Sequence, residues 1–296
     1  MHERRKIRIH QLQQMKNDGV AIAQLLVTNH RDAAIADSFG ADIITASDIA
    51  ATMLFGLDST TSLTVDDMVL VGRGVARHVR SAVCLVAMPY WTYQVSPQQA
   101  VENAGRLIQG TGADGVSCEV SRHHRASIEA IVKAGIPVQA HIGLSSQRVA
   151  QLGGVRGLGK TVDEAWDFVE DATEAVAAGC FSIIAELLAA EVTAHIASTV
   201  PVPVISIGSG DKCDGAGGLF EDLYGLAGPF VPKHAKVYHS FGQALEEGMR
   251  SFVGDVKQRS YPTRDHSVAM APPEARKFKA SVTRRTRKAA SSQETA

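Results

Sequence analysis

From about residue 20 to residue 210, short apolar runs alternate with longer stretches of helical period. The runs cover 23–28, 42–46, 82–87, 115–120, 137–142, 181–187 and 203–207. Each is apolar on both faces, as expected of parallel strands covered from both sides. The stretches between them predict helices over 66–79, 96–109, 127–134, 161–178 and 189–199. Ser96 supplies a cap with Pro97 in the first turn. Thr161 is followed three residues on by Glu164, the spacing of a capping box. Small residues close the helices before the next run, as in Gly40-Ala41-Asp42, Gly112-Ala113-Asp114, Gly135-Ile136-Pro137 and Ala178-Gly179-Cys180. Seven such units in series, with no second compositional block, predict an α/β fold, a (β/α)8 TIM barrel forming a single domain over 20–265. The eighth strand is weak and is expected near Val237. Residues 1–19 read as an N-terminal extension and 266–296 as a basic, disordered tail. A doubly wound open sheet is the competitor, but it carries its cofactor on a glycine-rich first turn. Here the first run leads into Thr28-Asn29-His30-Arg31, without a glycine.

Composition narrows the setting. The 296 residues carry 30 basic and 31 acidic side chains, and 45% are apolar, the mix of an ordinary globular protein rather than a disordered one. No apolar run approaches the ~20 residues that cross a bilayer, and the charged start, Met1-His2-Glu3-Arg4-Arg5-Lys6, leads into no apolar signal region. Cys84, Cys118, Cys180 and Cys213 lie far apart, which fits reduced thiols in a cytoplasmic protein. Seven basic residues and two acidic ones fall in 273–296, which leaves 23 basic and 29 acidic residues in 1–272. The tail has a single aromatic, Phe278, and hangs from an acidic body, so nucleic acid is a disfavoured partner.

In a barrel of this kind the reacting groups sit at the carboxyl ends of strands. Those positions are Ser47 and Asp48, Met88 and Pro89, Glu119, His141, Glu186, and 206–210. Three carboxylates and a histidine therefore meet at one mouth. Such carboxylates suit a hard cation such as Mg²⁺, which takes oxygen ligands. They equally suit general-base work, or salt bridges to Lys or Arg at the rim. His141 reads equally as a catalyst or a structural hydrogen-bonder, and Cys118 as core. His123 and His124, in Ser121-Arg122-His123-His124-Arg125, are either an anion site beside Glu119 or a solvated helix start. Residues 154–161, Gly-Val-Arg-Gly-Leu-Gly-Lys-Thr, match the P-loop pattern, but no buried strand precedes them, so they read as a barrel-mouth loop. Gly208-Ser209-Gly210 is either an anion nest or a simple turn.

Several motifs together resemble the ketopantoate hydroxymethyltransferase family. They are Gly56-Leu57-Asp58-Ser59-Thr60, Thr64-Val65-Asp66-Asp67-Met68, His141-Ile142-Gly143-Leu144 with Gln147, Gln151-Leu152-Gly153-Gly154, Ile207-Gly208-Ser209-Gly210 through Cys213-Asp214-Gly215, Asp222-Leu223 with Gly225, Phe230-Val231-Pro232-Lys233, and Tyr261-Pro262-Thr263. Their order and spacing hold from about residue 20 to residue 265. The resemblance implies a Mg²⁺-dependent barrel of the isocitrate lyase and phosphoenolpyruvate mutase superfamily. It further implies hydroxymethyl transfer from methylenetetrahydrofolate to 3-methyl-2-oxobutanoate, and assembly into rings of subunits. In that scheme Glu186 matches the base, while Asp48 and Glu119 match the metal site. Ser47, Asp48, Ile49, Ala87, Ser117 and His141 line the substrate position.

Three positions depart from the family pattern. Ile49 stands where the family has a serine hydroxyl, leaving only its amide to donate. Ala87 replaces a metal-binding aspartate, and Ser117 replaces a substrate-binding lysine. These departures keep two other readings open: a different C–C bond enzyme of the superfamily (a lyase, decarboxylase or hydrolase acting on another 2-oxo acid), and a catalytically silent homologue.

Overall fold

The structure is a computed structural model, and it describes residues 4–228 and 232–293. Eight parallel strands close into a barrel in strict chain order: β1 (Ile22–Val27), β2 (Ile43–Ala46), β3 (Val83–Ala87), β4 (Gly115–Glu119), β5 (Val138–Gly143), β6 (Ser182–Glu186), β7 (Val204–Ile207) and β8 (Gly215–Leu219). β8 returns to β1 with Ile22 opposite Gly215 and Leu26 opposite Leu219. The predicted helices are present as Val65–Ala76, Pro97–Thr111, Arg125–Lys133, Val162–Ala177 and Ala190–Thr199. Side chains of Ser96 and Thr161 take the N–H groups of Gln99 and Glu164, as their spacing implies.

The eighth strand is not near Val237. It is Gly215–Leu219, a Gly-Ala-Gly-Gly-Leu segment that has no strand pattern to read. Closure of the barrel needs its bareness, because a Cβ on Gly215 would overlap the Ile22 carbonyl oxygen.

Nor are residues 1–19 an appendage. The helix Ile9–Asn17 closes the lower end of the barrel, where Ile7 and Leu12 join Ile22, Ile43, Val83, Leu85 and Ile205 in one buried cluster. Around it a single device recurs. Asp42, Asp114 and Asp214, each just before a strand, accept the N–H of Ala23, Cys84 and Val204 on the strand alongside. Each is in turn paired with a cation from the N-terminal segment: Arg4, Lys6 and Lys16. Above this plug Gln24 and Gln139 exchange amide hydrogen bonds across the interior and reach Thr45 and Ser182, so the buried polar layer is satisfied.

The compact barrel unit ends at Gly242, short of the expected 265. The second unit, from Gln243, contains most of the helix Phe241–Gln258 and the helix Pro272–Gln293. The segment expected to be a disordered tail from 266 is thus largely helical, because 274–293 contains neither glycine nor proline and is rich in Ala, Lys and Arg. Residues 294–296 lie outside the described residues, as do Phe230 and Val231 of the motif at 230–233. No helix among the described residues is long and apolar enough to cross a membrane.

Candidate active site

The strand ends surround a cavity of about 510 Å³ whose wall is largely apolar, with Leu26, Met88, Leu144, Ile184, Ile207 and Leu223 among its lining. The positions expected to form the base, the metal site and the substrate wall face it: Ser47, Asp48, Ile49, Ala87, Ser117, Glu119, His141 and Glu186. Register explains the gathering. Ala87 pairs with Ser117, Glu119 with His141, and Gly143 with Glu186, so neighbouring strands deliver these side chains at successive levels of one rim.

His141 and Glu186 form a close pair at the cavity wall. His141 Nε2 lies 2.9 Å from Glu186 Oε2, off the line of the ring N–H, so the contact is one of charge rather than a linear hydrogen bond. Burial works against the imidazolium, but the contact with Glu186, backed by the charges of Glu119 and Asp48, prevails and raises the His141 pKa above its ordinary value. Gly143 holds β5 against this strand end at φ +93°, where a Cβ would overlap the Glu186 carbonyl oxygen.

Glu119 is occupied differently. Its Oε1 accepts from the Ser146 N–H at 3.0 Å and the Ser146 hydroxyl at 2.9 Å, and its Oε2 from the Gln147 N–H at 3.0 Å and the Ser145 hydroxyl. Gln147 then sends its side-chain amide to Asp48 Oδ2 at 3.0 Å and to the Met88 carbonyl at 2.9 Å. Tyr93 Oη sits 2.9 Å from Gln147 Oε1. Burial, and behind it the charge of Glu119, lift the Asp48 carboxyl to about 7. None of these contacts is a rim salt bridge to lysine or arginine.

The donor set can be weighed against the Mg²⁺ centre that the resemblance implies. A carboxylate offers about four lone-pair sites, and all four on Glu119 are taken. Asp48 has one oxygen engaged by Gln147, and position 87 offers only a methyl group. Among the described residues no group of three or more His, Cys, Asp or Glu side chains is arranged to hold a metal. The residues present do not fit that ion.

Other expectations resolve plainly. The Ile49 N–H points to Ser47 Oγ at 3.3 Å, so it is not a free donor for a substrate carboxylate. Arg122 pairs with Asp167 and Glu170, and His124 packs edge-on to Tyr93, so this stretch makes no anion site beside Glu119. Burial, with the positive Arg148 nearby, pushes the His124 pKa down to about 4. Ser209 spends its hydroxyl on the Ala185 carbonyl and the Leu188 N–H, which makes 208–210 a turn and not a nest. Cys118 is buried in the core. The segment 154–161 follows the short helix Val149–Leu152 and not a strand, so the P-loop arrangement is not formed. It contributes Val155, Arg156 and Gly157 to the cavity. Reading the strand ends missed Ser145 and Ser146, whose spacing carries no signal until the turn places them beneath Glu119, and Gln147 entered only as a motif residue with no role assigned. It also missed His234 from beyond β8, and Asp222 and Lys233, named only as motif residues, join it in the cavity wall. Burial first, and then Glu186, raise the Asp222 pKa, with His234 opposing.

The family model described as ketopantoate hydroxymethyltransferase matches residues 6–264. The chain belongs to that family. A relative from Dehalococcoides mccartyi strain CBDB1, named 3-methyl-2-oxobutanoate hydroxymethyltransferase, is 36% identical over 262 residues, 88% of this chain and 94% of the relative. Among solved structures, phosphonopyruvate hydrolase superposes with a TM-score of 0.58 at 12% identity, covering 95% of this chain and 98% of that one. A 2,3-dimethylmalate lyase, described as a PEP mutase/isocitrate lyase superfamily member, does so with a TM-score of 0.52 at 14% identity over 93% and 98%. At such identities these two likenesses speak for the fold. The relatives of this family are named as hydroxymethyltransferases, so the present chain is an enzyme of that class.

Proposed function

We propose that this chain removes the proton from carbon 3 of a 2-oxo acid and joins that carbon to a one-carbon unit, with methylenetetrahydrofolate as donor. Membership of the hydroxymethyltransferase family supports the reaction class, and the His141–Glu186 pair carries the assignment of the base. A carboxylate touching a histidine in a largely apolar cavity is built to take a proton from carbon and to steady the charge that the transfer leaves behind. The Glu186 carboxylate accepts the proton, and the C–H electron pair moves between carbons 3 and 2 as the carbonyl pair shifts onto oxygen. The enolate carbon 3 then bonds to the donor methylene, whose two C–N bonds break to release tetrahydrofolate while water supplies the hydroxyl oxygen. His141 fixes the orientation of Glu186 and balances its charge. A cavity of about 510 Å³ is far larger than a five-carbon acid and has room for part of a second reactant.

A second reading, that the acid is not 3-methyl-2-oxobutanoate, draws on Ile49, Ala87 and Ser117. They leave that wall small or apolar, which favours a bulkier carbon chain at carbon 3. Proton NMR of 2-oxo acids in D₂O tests both readings. The chain is expected to wash out the carbon 3 proton of at least one acid, and Glu186→Gln to slow this by about 10²-fold or more. Exchange that survives Glu186→Gln unchanged removes Glu186 from the role. No exchange across a panel of branched and linear acids removes the reaction.

A further inference from the structure

We infer that the cavity of this chain holds no divalent cation, and that Glu119 acts there as a positioning residue which fixes Gln147 against Asp48. The inference concerns the same site as the reading above, but it rests on hydrogen-bond saturation and not on the reaction.

The network around Glu119 is closed. Its four acceptor sites meet four donors, all from Ser145, Ser146 and Gln147. Both amide hydrogens of Gln147 are used, on Asp48 and on the Met88 carbonyl, and its amide oxygen is met by Tyr93. The single hydroxyl hydrogen of Tyr93 is shared between Gln147 Oε1 and the Glu119 carbonyl oxygen, each 2.9 Å from its Oη, which ties β4 to the same knot. Glu119, Ser145, Gln147 and Tyr93 are buried and Ser146 is half-buried, so a donor stripped from this network loses a bond that solvent replaces poorly.

A divalent cation between Asp48 and Glu119 would have to strip at least one donor from Glu119 and leave a buried N–H or hydroxyl without a partner. In return it would gain two carboxylates and little else from the protein. Mg²⁺ demands near-octahedral oxygen ligation, and Ca²⁺ takes six to eight oxygens. The adjacent wall offers Ala87, with the Ser117 hydroxyl level with it on β4. The substrate class that fits is therefore a carbonyl compound met by hydroxyl donors such as Ser47 and Ser117, not one chelated through two oxygens to a metal.

Mn²⁺ titration of the full chain followed by electron paramagnetic resonance tests this without reference to activity. The free-ion signal is expected to match buffer alone, with and without 3-methyl-2-oxobutanoate. One bound Mn²⁺ per chain that Asp48→Asn releases would overturn the inference. Ala87→Asp, which returns a carboxylate to the wall, is expected to tighten Mn²⁺ binding by roughly tenfold or more. The positioning role has its own signature. Glu119→Gln is expected to shift the Gln147 side-chain amide resonance in a ¹H–¹⁵N spectrum and to leave the Mn²⁺ response of the wild type unaltered, whereas an unmoved resonance would overturn it. Where the wild type exchanges carbon 3 protons, equal rates in excess EDTA and in Mg²⁺ support the inference, and a rate that only Mg²⁺ restores defeats it. Absence of exchange in either condition would count against the reaction alone, because the Mn²⁺ titration decides the metal question by itself.

Discussion

Gln147 Nε2 donates to Asp48 Oδ2 across 3.0 Å, joining a side chain on the loop after β5 to a carboxyl at the end of β2. This bond is the main polar restraint on a buried acid that burial and Glu119 have already raised to about 7.

A pH-dependent stability follows from that acid. The folded pKa of Asp48 lies above its unfolded value of 3.8, so the folded state binds the extra proton between about 4 and about 7. The contribution of Asp48 is most favourable below the unfolded pKa and is lost as pH rises through the folded one. Asp48→Asn, which cannot ionise, is expected to gain stability relative to the wild type as pH increases across this window, by at most about 1.4 kcal/mol per pH unit. Urea denaturation of both proteins at several pH values measures it.

Asp37 gives the opposite sign. Its carboxylate accepts from the backbone N–H groups of Arg80, Ser81 and Ala82 and from the Ser81 hydroxyl, tying the helix His30–Ser38 to the start of β3. Burial opposes its charge, but these donors outweigh it and hold the pKa below the ordinary carboxylate value. That stabilisation is present above the unfolded pKa and fades as pH falls through the folded one. Asp37→Asn is expected to cost about 1–3 kcal/mol at neutral pH, and the gap to the wild type should narrow below pH ~4. A wild-type-minus-variant difference that stayed constant down to acid pH would contradict it.

Gly143→Ala tests the geometry behind Glu186. The φ of +93° and the overlap of a Cβ with the Glu186 carbonyl oxygen leave no unstrained place for a methyl group. A loss of about 1–3 kcal/mol is expected, together with slower carbon 3 exchange if Glu186 takes that proton, because the strand carrying Glu186 must move. Thermal denaturation and NMR exchange on the same sample separate the two effects.

Leu12→Ala addresses the lower plug. Leu12 is fully buried with Ile22, Ile43 and Ile205, so truncation should cost about 2–5 kcal/mol. Deleting 1–19 should go further, since it also removes the cations opposite Asp42, Asp114 and Asp214. A deletion variant with wild-type stability would return the segment to the status of an appendage.

The alternation of buried runs and helical stretches determined seven of the strands, their order and the end of the barrel at which the chemistry gathers, because strand period and helix caps are local properties of the chain. Asp48, Glu119, His141 and Glu186 could be read as strand-end residues on that basis alone. β8 could not, since its Gly215 is required by the close approach of Ile22, a contact 193 positions away in the register Ile22–Gly215 that leaves no mark on neighbouring residues. The task of each carboxylate was likewise beyond the sequence. Glu119 and Glu186 look alike in it, and only the folded loop 145–147 saturates one with four donors while β5 brings a histidine to the other, for the state of an acid depends on what surrounds it in space rather than along the chain.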